Sequence, residues 1–165
     1  RSREGIELQA KAADAELKKL RVDVIVLPYF QGEPLGPAAV AVDRALDGLF
    51  TRMLDSKEAS GKFPERVLLP TMGRLAAPRV VYLCLGQRTQ LDGYRLRNAL
   101  EFAARQLRPF CHSAAVAVDP ALREVMAAPA TGQAPQSLAR AIVEGVALGN
   151  YRVGELKSAE AQGQL

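Results

Sequence analysis

Apolar residues in this chain form short runs, and segments rich in polar residues, glycine or proline separate them. The first run alternates apolar and polar positions, which is typical of an edge strand. The second and fourth runs are almost continuously apolar, as in strands that are covered on both faces. Pro28 directly follows the second run, and we expect that strand to end there. The pattern therefore predicts five strands, at residues 6–10, 22–27, 66–70, 79–86 and 114–118.

Apolar residues at helical spacing lie between these runs. Pro37 suits the first turn of a helix, where its missing N–H would have no partner, and this helix is predicted to extend to residue 53. Asp92 suits the N-cap of the next helix. The pattern thus predicts two amphipathic helices, with apolar faces formed by Val40, Leu46, Leu49, Phe50 and Met53 in the first and by Leu96, Leu100, Ala103 and Leu107 in the second.

Three further segments are predicted to be at least partly helical. Residues 12–20 form a short helical or irregular connection, and residues 121–127 form a helical turn. A last helix begins at Pro135, and its inward face consists of small and apolar residues, namely Leu138, Ala141, Ile142, Gly145 and Leu148. Strands that alternate with helices indicate an α/β domain, with a largely parallel sheet and helices on both of its faces.

Length and composition are those of one globular domain. The chain has 165 residues, 48% of them hydrophobic, and no tryptophan. No apolar run approaches the roughly 18 to 20 residues that a membrane-spanning helix requires, so we expect no membrane association. Residues 1–5, which begin without methionine, are interpreted as a leader or a remnant of expression, and residues 159–165 as the start of an interdomain linker or tail. The domain itself is predicted over residues 6–158.

The side chains that could carry out catalysis are few. Cys84 and Cys111 lack the spacing of a disulfide framework, so we expect reduced thiols in a cytoplasmic protein. The single histidine, His112, directly follows Cys111, and neighbouring residues on a strand point to opposite faces, which disfavours a shared metal ion. Cys84 and His112 are expected at opposite ends of a parallel sheet, too far apart for proton transfer. We therefore predict no catalytic, cofactor-binding or metal-binding residue.

A glycine-containing loop precedes the helix that begins at Pro37. Residues Gly32 to Gly36 could hold a phosphate, because the N-terminus of a helix offers free N–H groups. However, Pro34 and Pro37 remove two donors, and the loop matches neither a dinucleotide-binding fingerprint nor a P-loop. A role as a turn and helix start is favoured.

The net charge of +4 permits an acidic partner without requiring one. Basic residues cluster at three places, namely Lys18, Lys19 and Arg21; Arg95 and Arg97; and Arg105 and Arg108. Neither a helix-turn-helix pattern nor a basic stripe interleaved with aromatic residues is present. The clusters are interpreted as solvated surface, and specific nucleic-acid binding is not predicted.

Several stretches, taken in order, carry a family resemblance. They are DVIVLP at 23–28, PLGPAA at 34–39, GK at 61–62, LLPT at 68–71 and VVYLCLG at 80–86. Residues 144–158 resemble a closing helix that leads into a Gly-Ala-Tyr-Arg-Phe…Tyr-Lys-Ser stretch, with Val153 and Leu156 in place of aromatic residues. Over residues 6–158 the chain resembles the N-terminal domain of the leucyl aminopeptidase (M17) family, apart from Cys84, where that family usually has glycine.

The resemblance implies a three-layer, macro-like α/β fold. It also implies a front domain of a metallopeptidase that removes N-terminal residues from peptides, with two divalent metals of zinc or manganese type held by a separate C-terminal catalytic domain. On this interpretation the chain alone has no catalysis of its own. It packs against the catalytic domain, helps to assemble a homo-oligomer and shapes access to the active site. The alternative is a stand-alone macro-like module that binds a phosphate-containing ligand or nucleic acid.

Overall fold

The computed structural model describes residues 6–9, 14–107, 111–127 and 152–156, which form one six-stranded sheet flanked by helices. In chain order the strands are β1 (Ile6–Gln9), β2 (Val24–Tyr29), β3 (Arg66–Pro70), β4 (Arg79–Cys84), β5 (Ser113–Ala117) and β6 (Arg152–Leu156). The helices are α1 (Asp14–Lys19), α2 (Pro37–Ala45), α3 (Leu49–Asp55), α4 (Gly93–Leu107) and α5 (Pro120–Ala127), with a 3₁₀ turn at Arg88–Gln90.

The sheet is parallel except at one edge. Its strand order is β1-β6-β5-β2-β4-β3, and each neighbouring pair is parallel apart from β3 and β4. Those two strands are antiparallel because the turn at residues 71–78 returns the chain directly alongside itself. The predicted architecture, a mixed and mostly parallel sheet in an α/β domain, is confirmed.

Alternate side chains of the central strand β2 enter two separate hydrophobic cores. Val24 and Val26 pack in the core that contains α4 and α5, whereas Ile25 and Leu27 pack in the core that contains α1, α2 and α3. Successive side chains of a strand point to opposite faces of the sheet, so helices must cover both faces. The predicted three-layer arrangement follows from this alternation.

Aromatic stacking anchors α3 to the sheet. Phe50 is fully buried, and its ring stacks on that of Tyr82 with centroids 3.9 Å apart and planes at 8°. The rings of Tyr29 and Phe50 pack edge to face, with 5.5 Å between centroids. The Tyr82 hydroxyl donates a 2.9 Å hydrogen bond to the carbonyl of Ala39, which ties α2 to the same cluster.

The single helix predicted from Pro37 to residue 53 is wrong, because the chain forms α2 and α3 with a break between them. Asp47 and Gly48 both adopt positive φ, at 59° and 72°, and an Asp-Gly pair accommodates this conformation readily. The buried carboxylate of Asp43 then accepts a 2.8 Å hydrogen bond from the N–H of Phe50, which starts α3. The buried face of α2 also differs from the predicted one, since it consists of Ala38, Ala39, Ala41 and Val42, with Val40 only partly buried.

Pro28 does not end its strand as predicted, since β2 continues to Tyr29. The carbonyl of Tyr29 accepts a hydrogen bond from Leu85, on the β4 side. The backbone groups of successive residues in a strand form hydrogen bonds to opposite neighbouring strands, so the Pro28 nitrogen faces β5. The pairing of β2 with β5 has already ended at Val26. The missing N–H therefore removes no bond from the sheet.

The strand β6 was not predicted. The resemblance assigned residues 144–158 to a closing helix and the stretch after it, whereas Arg152–Leu156 pairs with β1 on one side and β5 on the other. Two neighbouring strands supply backbone partners for this five-residue segment, and its own apolar pattern is too short to reveal it. The helix predicted from Pro135, with its face of small residues, lies outside the described residues.

Candidate functional site

Three loops meet at the carboxyl ends of β2, β4 and β5. These strands are parallel neighbours, so the loops that follow them, at residues 30–36, 85–92 and 118–119, lie at one edge of the sheet. In open α/β sheets ligands bind in a crevice at this edge. It is therefore the first place to look for a site.

The side chain of Asp119 occupies the N-terminus of α2. Its carboxylate accepts a 2.8 Å hydrogen bond from the N–H of Ala38 and a 3.4 Å hydrogen bond from that of Ala39. A helix N-terminus carries unpaired N–H groups and a partial positive charge, which is why it attracts anions. Here the protein fills that position with its own carboxylate.

Gly36 is the residue that allows this contact. It precedes α2 with ordinary extended φ and ψ of −78° and 177°, so its backbone does not require glycine. A Cβ at Gly36 would however lie 2.6 Å from both Cβ and Cγ of Asp119, closer than real side chains approach. The glycine is therefore required by the close approach of Asp119. The predicted turn and helix start at this loop are present, with Gly32 at φ 78° and Pro37 in the first turn of α2.

Burial and hydrogen bonding act in opposite directions on the Asp119 carboxyl. Its exposed fraction is 8%. Burial raises the pKa of Asp119 above its usual range, and the hydrogen bonds from Ala38 and Ala39 and the charge of Arg123 only partly offset that effect. The carboxylate is thus held in a poorly solvated place by the helix that it caps.

An ion pair links the loops that follow β2 and β4 at the same edge. Arg88, in the loop after β4, contacts both carboxylate oxygens of Glu33 at 2.7 and 2.9 Å and reaches Glu124 of α5 at 3.3 Å. The hydrogen bonds from Arg88 lower the pKa of Glu33. The space beneath, lined by Phe30, Glu33, Gly36, Leu85 and Asp119 among others, measures about 20 Å³. That volume admits about one water molecule, so this space between the described residues is too small for a larger ligand.

The thiols and the histidine lie apart. Cys84 ends β4 and is level with Tyr29, whereas His112 precedes β5, near Asp23 at the start of β2. The two residues are therefore at opposite ends of the sheet, as the sequence predicted. Both thiols are buried, and burial raises the pKa of each, that of Cys111 to about 11 with a contribution from Asp23. Both are thus predominantly protonated at neutral pH, which is unfavourable for a nucleophile.

The basic cluster on α1 is separate from the basic residues on α4. Lys18 lies on α1, in the layer of α2 and α3, whereas Arg95 and Arg105 lie on α4 in the opposite layer. Arg105 pairs with Glu101 at 2.6 Å, and the Arg95 guanidinium lies 4.6 Å from the centroid of the Phe63 ring. Arg108 lies outside the described residues.

Among the residues that the structure describes, no three His, Cys, Asp or Glu side chains lie close enough together to hold a metal ion. This part of the chain therefore does not fit a two-metal centre. In the same residues no helix combines the length and hydrophobicity needed to span a membrane.

Sequence comparisons identify related proteins over most of the chain. Residues 26–160 match the profile described as the cytosol aminopeptidase family, N-terminal domain. A probable cytosol aminopeptidase of Alkaliphilus metalliredigens is 27% identical over 153 residues, which are 92% of this chain and 29% of that protein. One of Geotalea uraniireducens is 32% identical over 117 residues, which are 71% of this chain and 22% of that protein. The chain thus spans less than a third of the length of these relatives.

Solved structures share the fold. A variant of tomato leucine aminopeptidase superposes with a TM-score of 0.64 at 18% identity, over 93% of this chain and 32% of that one. The macrodomain of Mycobacterium tuberculosis DarG has a TM-score of 0.62 at 12% identity, over 91% of this chain and 97% of that one. A Trypanosoma brucei macrodomain in complex with ADP-ribose has a TM-score of 0.63 at 15% identity, over 94% of this chain and 64% of that one. These identities establish the macro-like fold alone, and they confirm the fold that the resemblance implied.

Proposed function

Because the chain belongs to the cytosol aminopeptidase family, as its N-terminal domain, we propose that it is a non-catalytic part of a longer metalloaminopeptidase. The observation that carries the proposal is the coverage: most of this chain aligns with less than a third of each relative. The proposed parent removes N-terminal residues from peptides in the cytoplasm. Its two divalent ions, of zinc or manganese type, are held by a C-terminal domain.

The proposed work of this domain is structural. It packs against the catalytic domain, contributes to a homo-oligomer and shapes the path of peptides to the active site. The described part of the crevice supports this role, because the space between Asp119 and the Arg88–Glu33 pair is too small for a substrate.

The chain by itself is expected to lack aminopeptidase activity, since its described residues offer neither a metal cluster nor a nucleophile paired with a base. The measurement is release of p-nitroaniline from leucine p-nitroanilide with added manganese or zinc. The matched control is a longer protein in which this domain precedes a catalytic domain encoded downstream. Turnover that co-purifies with the folded chain alone would contradict the proposal.

A stand-alone macro-like module that binds a phosphate-containing ligand is the second candidate, favoured by the fold likeness to a macrodomain solved in complex with ADP-ribose. The carboxylate of Asp119 at the N-terminus of α2 opposes it, because a phosphate placed there would meet a like charge. We therefore expect no saturable heat of binding when ADP-ribose is titrated to about 1 mM. A Kd of that size corresponds to a binding free energy of roughly −4 kcal/mol. Saturation in the micromolar range would favour the second candidate.

A further inference from the structure

The turn between β3 and β4 holds an apolar side chain in solvent. Met72 lies in this turn with an exposed fraction of 82%. Met72 and Gly73 both adopt positive φ, at 53° and 83°. The N–H of Arg74 donates a 3.0 Å hydrogen bond to the carbonyl of Thr71, which closes the turn. Glycine and asparagine adopt positive φ more readily than methionine, so Met72 combines an exposed apolar side chain with an unfavourable backbone conformation.

Contacts with two helices hold this turn in place. Its buried hydrophobic residues, which pack in the core that contains α1, α2 and α3, are Leu75 and Ala77. The N–H of Ala76 donates a 2.8 Å hydrogen bond to the carbonyl of Lys18, in the last turn of α1. The Arg74 guanidinium donates a 3.3 Å hydrogen bond to the carbonyl of Ala45, the last residue of α2. Met72 is therefore fixed next to the ends of both helices.

The surface around Met72 is positively charged. We call it the basic face and define it as the exposed residues of segments 18–23, 44–52 and 70–78. Its cations are Lys18, Lys19, Arg21, Arg44, Arg52 and Arg74. Among the exposed residues of these described segments Asp47 is the single carboxylate, and Arg74 donates a hydrogen bond to it. The face therefore concentrates positive charge, although the net charge of the whole chain is only +4.

A single apolar tip within a basic surface suits an anionic lipid surface better than a protein or a nucleic acid. A protein interface has an apolar core of several residues. The other large hydrophobic residues that are exposed in the described part of the chain, Tyr94 and Phe102, lie on α4 in the opposite layer. A nucleic-acid backbone would pair with the cations but would offer Met72 no apolar contact. Anionic headgroups attract Lys and Arg, and the boundary just below them accepts an apolar side chain.

We propose that the basic face binds the surface of an anionic membrane, with Met72 inserted between the headgroups and the surrounding cations on the lipid phosphates and carboxylates. The lack of a membrane-spanning segment underlies the expectation of no membrane association, but binding to a membrane surface needs no such segment. The cytoplasmic leaflet carries anionic lipids, so the proposal fits a cytoplasmic protein. It does not depend on the aminopeptidase assignment.

The test is co-sedimentation of the full chain with vesicles that contain equal amounts of phosphatidylserine and phosphatidylcholine. We expect binding that weakens at high salt and is absent with phosphatidylcholine alone. The double variant Lys18→Gln, Lys19→Gln should bind roughly tenfold more weakly or worse, since each cation near an anionic surface contributes about fivefold. The matched control is Lys57→Gln with Lys62→Gln, which removes two exposed charges from the segment before β3, whereas Met72 follows that strand. This control should bind as the wild type does.

Met72→Asn separates binding from folding. Asparagine adopts positive φ more readily than methionine, so the thermal midpoint should stay the same or rise. Loss of the apolar tip should nevertheless weaken vesicle binding about fivefold or more. Met72→Leu keeps an apolar side chain at the tip and should bind as the wild type does.

Equal binding to vesicles of phosphatidylcholine alone, or no binding to the anionic vesicles, would overturn the proposal. Equal weakening by the two lysine pairs would also overturn it, because overall charge and not the basic face would then be responsible. Unchanged binding of Met72→Asn would show that the tip does not enter the membrane. Stronger binding of a labelled oligonucleotide than of anionic vesicles at the same phosphate concentration would assign the face to nucleic acid instead.

Discussion

Replacing Phe50 by alanine is expected to lower the free energy of unfolding by about 3–5 kcal/mol, the range for removing a fully buried aromatic side chain. Phe50 is inaccessible to solvent, stacks on Tyr82 and packs edge to face with Tyr29. The substitution leaves a cavity between α3 and the sheet that neither tyrosine can fill without moving. Urea denaturation monitored by circular dichroism measures the effect.

Tyr94→Ala provides the matched control for that experiment. Tyr94 is an aromatic residue on a helix with an exposed fraction of 67%, so its removal should change the free energy of unfolding by no more than about 0.5 kcal/mol. If the two variants shift the denaturation midpoint equally, the stack of Phe50 on Tyr82 does not anchor α3 as described.

Asp119→Ala is expected to lower the free energy of unfolding by about 2–3 kcal/mol, because two buried N–H groups at the start of α2 lose their acceptor. Gly36→Ala should cost about 1–3 kcal/mol by a different route, the clash of the new Cβ with Asp119. The two substitutions should therefore be partly non-additive. Asp119→Ala removes the Cγ that clashes with the new Cβ but keeps the Asp119 Cβ at 2.6 Å, so the Gly36→Ala penalty should shrink without vanishing. A double-mutant cycle from urea denaturation measures this, and simple additivity would show that the carboxyl group of Asp119 does not constrain Gly36.

The pH dependence of Asp119→Asn tests the same site. Burial raises the folded-state pKa of Asp119 above the ordinary value of 3.8, so the folded state binds a proton more tightly than the unfolded state. The contribution of Asp119 to stability is therefore fully present below pH 3.8 and declines as pH rises through the folded-state pKa. The difference in stability between wild type and Asp119→Asn should fall over that window. A difference that rises instead would mean that the hydrogen bonds outweigh burial.

The local sequence pattern was sufficient to predict the features that depend on neighbouring residues in the chain. The N-cap at Asp92 is present, with a 2.8 Å hydrogen bond from the N–H of Arg95, and the predicted apolar stripe of α4 is buried throughout. The break between α2 and α3 was also within reach, because Asp47 and Gly48 form a recognised turn pair. The predicted absence of catalytic, cofactor and metal residues stays a prediction.

Features that join distant parts of the chain could not be read from such patterns. The cap of α2 comes from Asp119, about eighty residues away, and nothing around Pro37 identifies that partner. Arg66 on β3 likewise stacks on Phe102 and donates a hydrogen bond to Gln106, both of which lie on α4. Strand β6 is set by the two strands that it joins and not by its own five residues. In each case tertiary contact decides what the local sequence leaves open.

The place of β6 has a consequence for how this domain is made on the ribosome. Among the described strands, β1 pairs with β6 alone, and β6 separates it from β5, so that Ile6 lies beside Val153. The first strand to be synthesised must therefore wait, without its neighbour, until almost the whole chain has left the exit tunnel. Completion of the sheet is thus coupled to the emergence of residues 152–156 from the ribosome.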